Sequence, residues 1–286
     1  MFRSLIFVPG NSTRFVEKAK TLPADIVCLD LEDSVPDNEK DTARRIISET
    51  LLAKRQDYGS HVYVRTNSPE SGLVLDDLKA VLQKGIDGIV VPKVNDASEI
   101  LEIKKHVLML EKERKTDEIA LVPSIETARG VVNTYLIASA DERIKALVFG
   151  VFDFLYDMRL DYDEHDATGY SYARTKVPVD ARAAGVYAID AIWQKIDDID
   201  GLIRDATMAR HLGYSGKSII HPSQIEPVHK VFRPSKNEIE WAKKVVQALD
   251  QAMNKGTGRG AVRLEGKMID AVHYKQAKAI LNAAGA

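Results

Sequence analysis

Eight polar residues stand at the ends of apolar, β-branched stretches: Asp30, Glu32, Arg65, Asn67, Lys93, Glu126, Asp153 and His221. Most successive groups are separated by roughly 30 residues, about one strand–helix unit. Glu126 and Asp153 follow successive apolar runs, so their carboxylates could stand side by side. Two close carboxylates repel unless a proton or a cation lies between them. Two carboxylates completed by water and substrate oxygens are a usual way to hold Mg²⁺. The other reading is that each caps the helix after its strand, since acidic residues stabilise helix N-termini. Arg65 shares a strand face with Tyr63 and Asn67 by period-two alternation. An arginine there suits bidentate carboxylate binding or a developing oxyanion, and it could equally be salt-bridged to Asp30 or Glu32. Lys93 can pair with the same acids, and His221 reads as a hydrogen-bonded positioning residue.

The elements that must carry these groups are legible as short apolar runs. They are Leu5–Val8, Ile26–Leu29, Val62–Val64, Ile89–Val91, Ala120–Val122, Ala146–Phe149 and Ser218–Ile220, with room for another between Gly185 and Trp193. Nearly continuous apolar runs suit parallel strands covered on both faces. Between them lie amphipathic stretches such as Asp96–Glu113, with Ile100, Ile103, Val107 and Leu110 on one face. Eight strand–helix units in this length predict an α/β fold, a (β/α)8 TIM barrel, whose active site forms where the carboxyl ends of the strands meet. A doubly wound open sheet is the alternative, disfavoured by the lack of a Gly-rich dinucleotide or Walker-type loop.

The predicted barrel spans 1–233. Residues 234–286 are read as a C-terminal extension: a helix from Asn237 to Asn254, a linker at Gly256–Gly260, and a tail too short to bury a core alone. That tail is expected to pack on its own barrel or a neighbour's. Residues 160–172, with Asp161, Asp163, Glu164, His165 and Asp166, resemble a metal loop only loosely and read better as a solvated loop over the mouth. Met158, Trp193 and Trp241 are expected in core or interface packing, and Cys28 as a buried, inert thiol.

Composition closes off other classes. The 286 residues are 45% apolar and 29% charged, and 40 basic against 42 acidic residues give a net charge of −2. No basic excess exists to displace phosphate counterions, so nucleic acid is not an expected partner. A single cysteine excludes an internal disulfide framework. No apolar run approaches the roughly 20 residues that span a bilayer, and the first residues do not read as a secretory signal. A cytoplasmic protein with no membrane association is the expectation.

Several segments, in order, resemble one family. Arg3–Asn11 (RSLIFVPGN), Leu29–Val35 (LDLEDSV) with Lys40, Ala43 and Arg44, Val64–Asn67 (VRTN), Val91–Lys93 (VPK), Ile125–Gly130 (IETARG), Phe149–Asp153 (FGVFD) and Gly216–Ile225 (GKSIIHPSQI) are similar to the citrate lyase β-subunit-like proteins of the HpcH/HpaI aldolase superfamily. The resemblance runs over essentially the whole chain. It implies a TIM-barrel lyase with Mg²⁺ as cofactor and a CoA thioester as substrate. Glu126 and Asp153 would hold the metal, and Glu126 would thereby contact substrate. Arg65 would bind the thioester oxygen as enolate charge develops, with Asp30 and Glu32 in the same catalytic set.

The tail sequence Leu264–Asp270 (LEGKMID) resembles the C-terminal motif of malyl-CoA and citramalyl-CoA lyases of that family. There the residue matching Asp270 lies on a lid over a neighbouring barrel and exchanges a proton with the acetyl carbon. A cap on the terminal helix is the other use of such an aspartate. The implied reaction is cleavage of a citryl-, malyl- or citramalyl-type thioester into acetyl-CoA and a 2-keto acid. The alternatives are a thioesterase or malate-synthase-like activity on the same thioesters, or the β subunit of a multi-subunit citrate lyase. A shared lid implies a homo-oligomer, a trimer or a hexamer.

Overall fold

The computed structural model describes residues 2–163, 166–254 and 260–285. Glu164 and His165 of the acidic loop, and residues 255–259 of the Gly-rich linker, lie outside the described residues. The chain divides into two compact units, Met1–His229 and Lys230–Ala286.

In the first unit every expected apolar run is a strand. They are β1 (Ser4–Pro9), β2 (Ile26–Asp30), β3 (His61–Arg65), β4 (Gly88–Val91), β5 (Ala120–Ile125), β6 (Ala146–Phe149), β7 (Tyr187–Asp190) and β8 (Gly216–Ile219). Each pairs parallel with the next, and β8 pairs with β1 to close the barrel. β7 fills the gap left open near residue 185. The register sets Asp30 opposite Arg65 at the carboxyl ends of β2 and β3, so the site is already encoded in the strand pairing.

Alternate residues of the strands fill the barrel: Leu5, Ile26, Cys28, Tyr63, Val90, Val122, Val148 and Ile189 are buried together. Cys28 is enclosed as expected, and burial pushes its thiol far above the ordinary range. Glycine at 88 is required by that packing, since a Cβ there would stand 2.6 Å from the Tyr63 ring. The helix Ala97–Arg114 buries Ile100, Ile103, Val107 and Leu110, the face expected from their spacing.

Two sequence expectations need correction. Met158 is 43% exposed and lies past the end of the helix Val151–Asp157, so the core half of its expected core-or-interface packing does not hold. The segment 160–172 is loop only in part: a helix starts at Thr168, and Tyr170 is buried. Tyr162 packs on Phe152, ring centroids 4.9 Å apart, and stacks with Tyr170 at 6.3 Å. Trp193 is buried as expected.

Behind β7 and β8 lies a buried ion cluster that the apolar pattern did not reveal. Lys217 on β8 reaches Asp190 on β7 at 2.6 Å and also pairs with Asp205. Arg174 grips both carboxyl oxygens of Asp190, at 3.0 and 2.7 Å. Lys217 and Asp190 are wholly buried. Burial alone would raise the Asp190 pKa, but the Lys217 and Arg174 charges outweigh it and hold it below the usual carboxylate range.

In the second unit, a helix (Lys236–Asn254), a hairpin of β9 (Ala261–Leu264) with β10 (Lys267–Asp270), and a terminal helix (Ala271–Ala284) follow in order. Glu265 and Gly266 both take positive φ, 45° and 82°, as a two-residue type I′ turn requires. Ala242, Val245, Leu249, Ile269 and Ala277 form its buried centre, with Trp241, Val262 and Leu264 against it. The tail therefore finds its core on the preceding helix, a partner omitted when the 26-residue tail is weighed alone. Among the described residues no helix is long and apolar enough to cross a membrane.

Removing one member of a buried ion cluster strands its partners and costs about 3–5 kcal/mol. Lys217→Met is expected to lower stability by that amount in urea denaturation at neutral pH. Because Asp190 has a depressed pKa, its contribution is complete above the unfolded-state value of about 3.9 and is lost as pH falls through the lower folded-state value. The difference between wild type and Lys217→Met should therefore narrow below about pH 4.

Candidate active site

The carboxyl ends of the strands surround a cavity of about 390 Å³ lined by Asp30, Asp33, Arg65, Glu126 and Asp153 among polar residues, with Phe7, Phe149 and Phe152 on its apolar side. Four of the sequence-predicted site residues thus meet at one mouth. Glu32 lies immediately behind, 6% exposed.

Arg65 is the fixed point. Its Nε and Nη2 each donate to Asp30 at 2.7 Å. Nη1 faces Glu32 at 3.0 Å and Asp33 at 3.2 Å, and the guanidinium carbon lies 4.5 Å from the centre of the Phe7 ring. Asp30 accepts further hydrogen bonds from the Glu32 and Ser34 backbones, at 2.9 and 3.1 Å. Burial lifts an acid, but the Arg65 charge and these hydrogen bonds bring Asp30 down to about 2. It is thus a permanent anion that orients the guanidinium. Lys40 pins the same turn from outside by donating to the Leu31 and Glu32 carbonyls, both at 2.8 Å.

Lys93 ties the acidic groups together. Its Nζ stands 2.6 Å from Glu32, 3.3 Å from Asp33 and 3.2 Å from Asp153. Its backbone N–H donates to Glu126 Oε2 at 3.2 Å. Burial raises Glu32 to about 7 against the pull of Arg65. Burial, then the Glu32 and Asp153 charges, push Glu126 up to about 8.

Glu126 does not cap the helix after its strand, whereas Asp153, although not the N-cap residue, lies in the first turn of the helix Val151–Asp157, where a carboxylate is favoured. Thr127 caps the helix Ala128–Val132, its hydroxyl accepting the Gly130 N–H at 2.9 Å. Gly150, which has no side chain to cap with, occupies the N-cap before Asp153. Glycine there also makes room for Glu126: a Cβ would lie 2.4 Å from its Cγ. Among the described residues no three His, Cys, Asp or Glu are grouped to hold an ion by themselves. Two hard carboxylate donors with excess negative charge, beside a cavity open to water and substrate oxygens, nevertheless fit Mg²⁺.

Asn67 and His221 do not join the site. Asn67 turns to Asp77, donating through its backbone and side chain at 2.7 and 2.8 Å. His221 caps the turn Pro222–Gln224 through Ser223. Arg129 pairs with Asp96 at 2.7 Å. Arg14 and Lys18 are exposed on the helix Thr13–Ala19. Asp270, in the second unit, caps the terminal helix: Oδ1 accepts the Val272 N–H at 3.0 Å and lies 2.7 Å from His273 Nδ1. That engagement, led by His273, lowers its pKa. Lys40 and Gly150 occur in the sequence only as members of their motifs; their supporting roles come from the turn after β2, whose carbonyls Lys40 holds, and from the pairing of β5 with β6, which sets Glu126 against Gly150.

Comparison with known proteins places these features in context. A model of the family described as HpcH/HpaI aldolase/citrate lyase matches residues 3–222. Citrate lyase subunit beta of Leuconostoc mesenteroides subsp. cremoris is 36% identical over 99% of this chain and 93% of its own length. The mitochondrial citramalyl-CoA lyase of Mus musculus is 35% identical over 99% and 86%. A crystal structure of the CitE protein of Mycobacterium tuberculosis with magnesium, acetoacetate and coenzyme A superposes with a TM-score of 0.80, at 28% identity over 100% of this chain and 98% of that one.

Substitution of Gly150 tests the cradle. Gly150→Ala should keep the barrel folded by circular dichroism but weaken Mg²⁺ binding about 10–100-fold, the usual effect of disturbing a ligand's support, as read by titration calorimetry.

Proposed function

Since the chain belongs to the HpcH/HpaI aldolase/citrate lyase family, we propose that it is a Mg²⁺-dependent carbon–carbon lyase acting on a CoA thioester. It cleaves a 3-hydroxyacyl-CoA of the citryl-, malyl- or citramalyl-CoA type into acetyl-CoA and a 2-keto acid. The observation that carries this reading is the meeting of Arg65, Glu126 and Asp153 on one cavity.

Glu126 and Asp153 are the residues that would hold Mg²⁺. When bound, the ion supplies Lewis-acid polarisation and a template for the carboxylate and hydroxyl of the hydroxy-acid half. Arg65 meets the thioester oxygen. Cleavage passes the hydroxyl proton to water in the cavity, breaks the carbon–carbon bond to give the keto group of the 2-keto acid, and leaves the electron pair as the enolate of acetyl-CoA. A guanidinium held by Asp30 is charged at every working pH and cannot rotate away, so its stabilisation of that oxyanion needs no reorganisation. Asp30 and Glu32 serve by orienting Arg65. In condensation the Asp270 carboxylate takes a proton from the acetyl carbon, and in cleavage the same group relays a proton drawn from solvent to the enolate carbon.

Asp270 reaches a substrate, in this reading, as part of a lid over a neighbouring barrel, which makes the enzyme a homo-oligomer, a trimer or a hexamer. Surface apolar side chains support a second copy: Val132 is 72%, Leu136 59% and Val179 64% exposed. We place the enzyme in the cytoplasm. A second reading follows from the subunit name of the L. mesenteroides relative: the chain would work inside a larger assembly and show turnover only with its partners.

Incubation of the purified chain with citryl-, malyl- and citramalyl-CoA tests these statements together. Acetyl-CoA and a 2-keto acid should form from one of the three with Mg²⁺ and stop with EDTA. Free hydroxy acid and CoA without keto acid would mean a thioesterase, and no turnover of any of the three would favour the assembly. Asp270→Asn should lower turnover by roughly 10²–10³ with the apparent Mg²⁺ affinity retained. Full turnover in that variant would end the assignment of Asp270 as the acid.

A further inference from the structure

Lys93 stands out at the mouth for its backbone as well as its charge. Its φ is +53°, a left-handed conformation that residues with a side chain rarely adopt. Glycine would take it readily, so a lysine here points to a use for the side chain. That conformation sends the backbone N–H to Glu126 and the ammonium to the carboxylates of Glu32, Asp33 and Asp153. Among the described residues Arg65 is the other cation of the cluster, and its Nε and Nη2 are committed to Asp30. Lys93 is therefore the cation in direct contact with Asp153, 3.2 Å from Oδ1.

We propose that Lys93 is a built-in counter-cation of this site, a positioning residue that occupies the acidic cluster before the metal arrives and competes with the metal for Asp153. The inference rests on the assignment of Glu126 and Asp153 as metal-holding residues. Two consequences follow from charge alone. Without an ion, the ammonium keeps Glu32, Asp33 and Asp153 from repelling one another apart. With an ion, the ammonium must leave Asp153 or stand within a few ångströms of a dication, and either lowers the affinity for that ion. The chain thus holds its donors in place at the cost of a weaker metal site. Glu32 and Asp33 are where the ammonium can remain, because they lie on the β2 turn, away from the helix that carries Asp153.

The test is Mg²⁺ titration calorimetry of the full chain at one fixed pH, with wild type, Lys93→Met, Lys93→Arg and Asp153→Asn. Lys93→Met is expected to bind Mg²⁺ roughly three- to tenfold more tightly, the scale of a screened unit charge acting on a nearby dication. Lys93→Arg, which keeps the charge, should stay close to wild type. Thermal unfolding gives a second reading: metal-free Lys93→Met should melt below wild type, and saturating Mg²⁺ should raise its melting temperature by more. Lys93→Gln takes its place if Lys93→Met does not fold. Binding by the neutral variants no tighter than wild type, with no larger Mg²⁺-dependent rise in melting temperature, overturns the proposal. If Asp153→Asn binds Mg²⁺ as well as wild type does, the metal assignment fails instead. If Asp153→Asn loses binding while Lys93→Met is unchanged, the metal assignment stands and the counter-cation role alone is wrong.

Discussion

The pairing of Arg65 with Asp30 is the interaction on which the rest of the mouth depends. Both are buried, and a buried charge is tolerable only when paired and hydrogen-bonded. The register of β2 against β3 puts them opposite each other, so the pair is made by the barrel and needs no loop to bring it together. Asp30 in turn organises the segment Leu31–Ser34 through the Glu32 and Ser34 N–H groups. That segment delivers Glu32 and Asp33 to Lys93, and Lys93 reaches on to Asp153 and Glu126. A continuous line of opposite charges therefore runs from β2 across to the helix after β6.

The geometry also explains why near-neutral composition conceals a strongly polar site. Among the described residues, five carboxylates (Asp30, Glu32, Asp33, Glu126 and Asp153) face two cations, Arg65 and Lys93. The surplus is negative, and burial magnifies it. Glu126 bears most of that strain, because burial and two neighbouring acids all disfavour its anion. The same excess is what a hard divalent ion with oxygen preference requires. The cluster behind β7 and β8 shows the opposite solution, in which Lys217 and Arg174 compensate Asp190 and Asp205 and leave a purely structural network.

The second unit solves a different problem. Its hairpin and terminal helix bury Ile269 and Ala277 against the helix Lys236–Asn254, which gives a short segment a core of its own. Asp270 then sits between β10 and the terminal helix, and its cap on Val272 and His273 fixes the carboxylate at a helix N-terminus. A capping role and a catalytic one are compatible in such a residue, since Oδ1 carries the cap contacts described here. The glutamate and glycine of the type I′ turn set the hairpin register that brings Asp270 to that place.

Much of this was legible in the amino-acid order. Continuous apolar runs at regular spacing announce buried parallel strands, and a polar residue at the end of each announces a common mouth, because strand direction is the same in every unit. The resemblance in Leu29–Val35, Ile125–Gly130 and Phe149–Asp153 pointed to the family, and it is the source of the proposed metal roles of Glu126 and Asp153. What the sequence could not decide was which charges touch. Asn67 and Asp30 look equally poised along the chain, yet Asn67 turns to Asp77 while Asp30 locks Arg65. Lys217 reads as part of a motif, but its burial beside Asp190 depends on helices packed against β7 and β8. Period and polarity are local properties that survive in one dimension. Ion pairing depends on distances of about 3 Å between residues far apart in the chain, and only closure of the barrel sets those distances.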